Sequence, residues 1–215
     1  MVNRNIKALF NESIDQSNLS TKQQAVLKAS LELFSEQGFD RTSTKDIADR
    51  AAVSEGTVYK QFKTKEGILA AILDPFIHKV LPKAVTEFMV DMSENASPDI
   101  DAFLTYVIRN RMQFAMDNRL QIRILLQEAT RNSSLLNFVG SEIGNIINSP
   151  LGDSLRKYQT TGQLVKWPLA RIIQYIFATV LSYVLPKVLD GGDLDVEQAS
   201  HETVTFILDG LKPQG

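Results

Sequence analysis

The 215-residue chain has no cysteine and only two histidines, His78 and His201. Without cysteine there are no disulfides, thiolate zinc sites, iron–sulfur clusters or cysteine nucleophiles. Two histidines far apart in sequence, with no HExxH pattern, give no basis for a metal site. No metal and no cofactor is therefore expected. A Gly-rich phosphate loop is also missing, since Gly191-Gly192 stands alone before Asp193 and reads as a turn. Proline is absent from the first third: all seven prolines lie at or after Pro75. Early breaks in structure must then come from glycine and cap residues. Long apolar runs are lacking too. The most apolar stretch, Ile172 to Pro186, is bounded by Arg171 and Lys187. It falls short of the roughly 18–20 residues that cross a bilayer. A buried helix is expected there and no membrane partner. The polar start, Met1 to Lys7, lacks a secretory core, and the composition fits a reducing, cytoplasmic setting.

An excess of charge of either sign is missing as well. Lys plus Arg is 23 and Asp plus Glu is 25, for a net charge of −2. Such a total does not announce nucleic acid, but a sum over the whole chain can hide a local patch. What is present is helical periodicity nearly throughout, so the chain is expected to be all-α. Ser20 and Gln23 form a capping box ahead of an apolar stripe through Val26, Leu27, Leu31 and Phe34, and Gly38 ends that helix. Residues 1–19 read as a loose arm or a short extra helix packed by Ile6, Leu9 and Phe10. Ser43 caps a short helix with Ile47, Ala48 and Ala51 inward, and Ser54 caps another with Val58 and Phe62 on one face. Two short helices and a tight turn make a helix-turn-helix pattern, with small Ala48 allowing close approach. Thr64 caps a further helix carrying Ile68, Leu69 and Ile72. From Arg41 to Lys65 there are six cations and three anions, a net of +3 in a chain of −2. Phosphate neutralisation needs cations in such a place.

The run from Thr42 to Leu69 resembles the TetR family of bacterial transcriptional regulators. The match is Thr42-Ser43-Thr44-Lys45-Asp46-Ile47-Ala48, then Ala52-Val53-Ser54, then Gly56-Thr57-Val58-Tyr59-Lys60-Gln61-Phe62, then Thr64-Lys65-Glu66-Gly67-Ile68-Leu69. Phe34-Ser35-Glu36-Gln37-Gly38-Phe39 is similar to the exit of the family's first helix. The resemblance implies a three-helix DNA-binding domain at 20–66 and a larger effector-binding and dimerisation domain at 67–215. It implies a DNA surface made of Thr44, Lys45, Ser54, Glu55, Gly56, Thr57, Tyr59, Lys60 and Lys65. Lys60 is suited by chemistry to guanine O6 and N7. Thr44, Lys45, Tyr59 and Lys65 would hold phosphates.

Beyond Pro75 no motif of similar strength appears. Helices are expected from about Asp74 or Pro75 to Met92, after Ser97 as cap, after Asn118, and from near Ser134 to Gly162 with a break at Pro150. Their aromatics and methionines suit either a core or an adaptable apolar cavity. Candidate lining residues are Phe88, Met89, Met92, Phe103, Tyr106, Met112 and Trp167. Arg109, Arg111, Arg123 and Gln127 are polar candidates for an anionic ligand. From Pro168 to about Pro186, apolar residues cover nearly the whole helix, as burial on all sides requires. A last helix follows Asp195. Ile172, Tyr175, Ile176, Thr179, Val180, Tyr183, Val204, Ile207 and Leu211 are candidates for a four-helix homodimer interface. A twofold dimer would set two recognition helices roughly 34 Å apart. The implied partners are a double-stranded DNA operator, a small apolar or amphipathic effector and a second copy. The implied function is a repressor released by its effector. An enzyme would need a carboxylate or histidine constellation that no spacing here singles out. A helical interaction or small-molecule-binding module without DNA binding is the alternative reading, kept open by Glu55 and the modest basic patch.

Overall fold

The structure, a computed structural model, describes residues 5–129 and 132–213. Every regular element among them is helical. In chain order these are α1 (Ile6–Asp15), α2 (Thr21–Gln37), α3 (Thr44–Arg50), α4 (Glu55–Phe62), α5 (Lys65–Pro75), α6 (Leu81–Glu94), α7 (Ile100–Asp117), α8 (Arg119–Ala129), α9 (Ser133–Ile147), α10 (Pro150–Thr160), α11 (Leu169–Asp190) and α12 (Val196–Leu211). The described residues form two compact units. The first runs to Ala84 and also takes in Leu120–Leu135. The second holds Val85–Arg119 and the chain from Leu136 onward.

Caps set the helix starts of the first unit. Ser20 and Gln23 form the expected capping box, and α2 stops at Gly38 with φ 91°. Ser43 caps α3, and Asp46 answers it to complete a second capping box. Ser54 and Thr64 accept from Thr57 N and Gly67 N to open α4 and α5. Each such cap contributes about 1 kcal/mol. Residues before Ser20 form a helix, α1, capped by Asn5. Ile6, Leu9 and Phe10 are buried in it, and the Phe10 ring stacks on Phe76 at 5.0 Å. Each fully buried side chain of this size stabilises the unit by roughly 2–3 kcal/mol. Lys7 pairs with Glu32 at 2.8 Å, and Arg50 reaches both Glu32 and Glu36 at 3.3 Å. This network ties α1, α2 and α3 together. The Lys7 hydrogen bond, helped by Arg50, holds the Glu32 carboxyl below its usual range.

Three expectations beyond the first helices need correction. No new helix starts at Asp74 or Pro75: α5 continues through Pro75 into a π-helical turn, Phe76–Val80, and then α6. Leu81 N–H donates to Phe76 O, five residues back. Pro75 and Pro82 flank this widened turn, and each removes one ladder donor. Asp99, not Ser97, caps α7, accepting from Ala102 N at 3.0 Å; Ser97 instead takes the Asp99 N–H. Pro186 does not end α11, which runs on to Asp190 and stops at Gly191 with φ 81°. Burial of Val184 and Val188, one turn apart on the same face, offsets the single lost bond. The break at Pro150 is as expected, with Ser149 as cap and Pro150 at the first helical position.

In the second unit α7 packs against α11 and α12. Phe103, Leu104, Ile108 and Met112 are buried from α7, Ile172 and Val188 from α11, and Ile207, Leu208 and Leu211 from α12. Phe103 meets Tyr158 of α10 at 5.4 Å.

Candidate functional site

Two short helices in the first unit, α3 and α4, are held at a fixed angle by their turn. Val53 N–H donates to Ala48 O at 3.0 Å, and Ala52 takes a left-handed φ of 53°. That conformation costs an alanine about 1 kcal/mol. Ile47, Ala48 and Val58 are buried between the helices, while Val53 and Phe62, expected in the core, are half-buried. The far end of α4 is equally constrained. Lys63 has φ 62°, and Thr64 N–H donates to Phe62 O at 2.7 Å, a γ-turn of the uncommon positive-φ kind. Gly67 lies against that turn: a Cβ there would stand 2.3 Å from Phe62 O. Only glycine lets α5 begin so close to the end of α4.

The outer face carries the chemistry. Tyr59 is 69% exposed, an unusual state for an aromatic with no packing partner to explain it. Lys45, Glu55, Gly56 and Lys60 are exposed, and Thr44 and Thr57 half-exposed. Around Gly56 the space is open, with only Ser54 Oγ at 4.0 Å from a notional Cβ. Thr44 Oγ1 donates to Glu55 Oε1 at 2.8 Å, which joins the first turns of α3 and α4. Glu55 is therefore engaged by Thr44 and sits where a helix N-terminus favours an anion. Ser54 Oγ and Thr57 Oγ1 are 2.9 Å apart and bond each other.

Lys65 stands differently from the expected phosphate contact. Its ammonium donates to Phe39 O at 2.9 Å, Thr42 O at 3.0 Å and Asp40 O at 3.4 Å, and lies 4.4 Å from the Phe39 ring centroid. An ammonium has three donors, so all are spent on the α2–α3 connection. The basic patch expected from the sequence also included Arg50, but Glu32 and Glu36 hold it. Arg41 Nε donates to Gln37 O at 2.7 Å. Lys45, Lys60 and Lys63 remain exposed and without an ion pair among the described residues. Three open cations thus lie on or beside the capped helix pair that also exposes Tyr59, and phosphate neutralisation needs such cations.

The model of the bacterial regulatory proteins of the tetR family matches residues 26–72. This stretch, which holds α3, α4 and most of α2 and α5, is similar to the DNA-binding part of the tetR family. An HTH-type transcriptional repressor of Mycobacterium tuberculosis is 38% identical over 72 residues, or 34% of this chain. That match spans 38% of the relative's length. A fatty acid metabolism regulator protein of Bacillus subtilis is 22% identical over 194 residues, covering 88% of this chain and 95% of that one. Among solved structures, a TetR-family regulator from Mesorhizobium loti aligns with a TM-score of 0.65 at 17% identity, over 92% of this chain and all of the other. A fatty acid metabolism regulator from Clostridium perfringens aligns with a TM-score of 0.59 at 20% identity, over 88% of this chain and all of the other. These likenesses show the TetR-family fold over both units.

In the second unit the pocket residues expected from the sequence separate. Phe88, Met92, Phe103 and Met112 are buried, and Met89 and Tyr106 half-buried. Trp167 is exposed and meets Tyr175 edge-on at 6.1 Å, so it lies on the surface. A cleft of about 480 Å³ in the second unit is lined instead by polar residues, with Arg109 facing Glu197 at 2.8 Å. The dimer candidates separate as well. Ile172, Val204, Ile207 and Leu211 are buried within their own unit and cannot also face a partner. Tyr175 is exposed, while Ile176, Thr179, Val180 and Tyr183 are half-exposed; Tyr183 OH donates to Glu202 at 3.0 Å. Phe177 and Phe206 are also exposed, at 54% and 70%, and the sequence pattern did not single them out. A signal for Phe206 exists, since it falls between the inward Val204 and Ile207 stripe on α12. Contrary to the expectation of a buried helix too short for a bilayer, α11 alone among the described residues is long and apolar enough to cross a membrane, and only 22% of its most apolar stretch is buried within the chain.

Proposed function

We propose that the chain is a sequence-specific DNA-binding transcriptional regulator that acts as a homodimeric repressor and leaves its operator when a small amphipathic effector binds the second unit. The α3–α4 pair carries this reading: two capped helices present Tyr59, Lys45 and Lys60 around the glycine gap at Gly56. Lys60 reads bases, Lys45 and Tyr59 hold phosphates, and Glu55 keeps Thr44 in place. The exposed aromatic side chains of α11 and α12 support dimerisation, because an apolar helix face open to water needs cover. A second copy supplies that cover and also pairs two recognition helices. The effector acts only through its difference in affinity for the operator-bound and released states.

A gel shift with the DNA upstream of the chain's own gene tests the reading. A folded dimer should bind it at moderate salt in preference to random duplex, and no preference would overturn the proposal. Lys60→Ala should relax base preference, whereas Lys45→Ala should weaken all sequences alike and lower the salt slope by about one.

A further inference from the structure

The second unit holds a largely buried cation that forms no ion pair among the described residues. Arg111, on α7, is flanked by two rings: its guanidinium carbon lies 3.8 Å from the Phe88 centroid and 4.6 Å from that of Phe114. Nε and Nη2 both donate to Asn110 Oδ1, Nε at 3.0 Å. Nη1 has no hydrogen-bond partner among the described residues. Asp91 is engaged by others. It accepts from the Tyr106 hydroxyl at 3.1 Å and from Asn110 Nδ2 at 3.2 Å. The Asn110 amide thus stands between the two charges, and Asp91 orients it with Oδ1 toward Arg111. Burial pulls the Arg111 pKa down to about 10, against the opposing pull of Asp91 and Tyr106. The group still carries its charge at neutral pH. Yet the residue is not sealed: Arg111, Tyr106, Phe114 and Met89 are all half-buried.

A guanidinium has five donors in a planar fork, suited to a carboxylate or phosphate. Here two rings lie against the guanidinium and Asn110 takes Nε and Nη2, which leaves Nη1 for a further acceptor. A buried cation whose counter-charge stands beyond a bridging amide is unfavourable, and ring contacts offset only part of that. An anion arriving at Nη1 would complete the set, while the neighbouring apolar side chains would take a hydrocarbon tail.

We propose that Arg111 is the anion anchor of an effector site in the second unit, and that the effector is an amphipathic anion with one carboxylate or phosphate on an apolar body. This rests on reading the second unit as an effector domain. If Arg111 served only to pin Phe88 and Phe114 together, headgroup charge would not matter to binding.

Calorimetric titration of the full chain with laurate, dodecyl phosphate, dodecanol and dodecyltrimethylammonium, each below its micelle concentration, tests the proposal. At least one anion should bind about tenfold or more tighter than the alcohol and the cation, a gap of roughly 1.4 kcal/mol. The stronger anion then identifies the headgroup. Arg111→Gln should remove that preference and leave dodecanol unchanged, while Arg111→Lys should keep part of it. Equal binding of the alcohol and both anions, no binding of any of the four, or anion affinity intact in Arg111→Gln would overturn it. If Arg111→Gln does not fold, the wild-type series decides alone. The operator gel shift is independent, so a chain that binds DNA but prefers no anion loses this proposal and keeps the proposed function.

Discussion

The two units use the same helical vocabulary under different constraints. In the first, the turn between α3 and α4 and the turn between α4 and α5 are set by neighbours within a few residues. Ser43 and Asp46 close one helix start, Ser54 and Thr57 the next, and Thr64 with Gly67 the third. In the second unit the boundaries depend on distant packing. At the start of α7 the Ile100 N–H donates to Gln163 Oε1, 63 residues on, at 3.1 Å, and Pro186 is carried inside α11. The surface proposed to present side chains to DNA is built from local, short-range devices. The unit proposed to take a ligand and a partner copy is built from longer-range burial.

Four substitutions probe that contrast. Gly67→Ala should have the largest effect. Its Cβ would meet the Phe62 carbonyl at 2.3 Å, and relieving this overlap costs about 2–3 kcal/mol. Thermal unfolding by circular dichroism should show a clearly lower midpoint; an unchanged midpoint would mean the α4–α5 junction is not the tight constraint described. Lys65→Met comes next. Removing the ammonium takes a donor from three carbonyls, of which Phe39 keeps the Thr42 N–H while Asp40 and Thr42 lose theirs. A loss of about 2 kcal/mol in urea unfolding is expected. If stability holds and only DNA affinity falls, Lys65 is a phosphate contact after all.

Phe206→Ser tests the second unit. The side chain is 70% exposed in the protomer, so folding should be little affected. Sedimentation should show dimer dissociation at concentrations about tenfold higher, in line with an interface anchor of more than 1 kcal/mol. A dimer of unaltered strength would place the interface elsewhere. Gly56→Ala is the mildest and separates folding from recognition. Alanine should stabilise α4 by about 0.5–1 kcal/mol, because the space is open. Operator affinity should fall if the helix backbone approaches DNA there, and a binding curve identical to wild type would remove Gly56 from the interface.

Much of the first unit is legible in the amino-acid sequence. Spacing alone marks Ser20, Ser43, Ser54 and Thr64 as caps, and all four act as caps. Their bonding partners lie three residues away, and such partners are written in the sequence. The fate of Lys65 and Arg50 is not legible in the same way. Lysine and arginine look alike on a charge map whether they face solvent, a carbonyl cluster or two glutamates from α2. For the second unit, helix content is legible, but not which side of α11 and α12 lies inward. Nearly every position on α11 is apolar, so periodicity carries no direction there.

What the sequence determined by itself is the helical class, the capped helix-turn-helix and its kinship, because each depends on interactions within one or two turns. Tertiary structure alone decided that Lys65 holds the α2–α3 connection, that Val204 and Ile207 lie inside while Phe206 lies outside, and that Arg111 lies against the rings of Phe88 and Phe114. These depend on which distant helices meet. The free energy of burying a side chain or leaving a cation unpaired is fixed by that meeting, not by the identity of the neighbours along the chain.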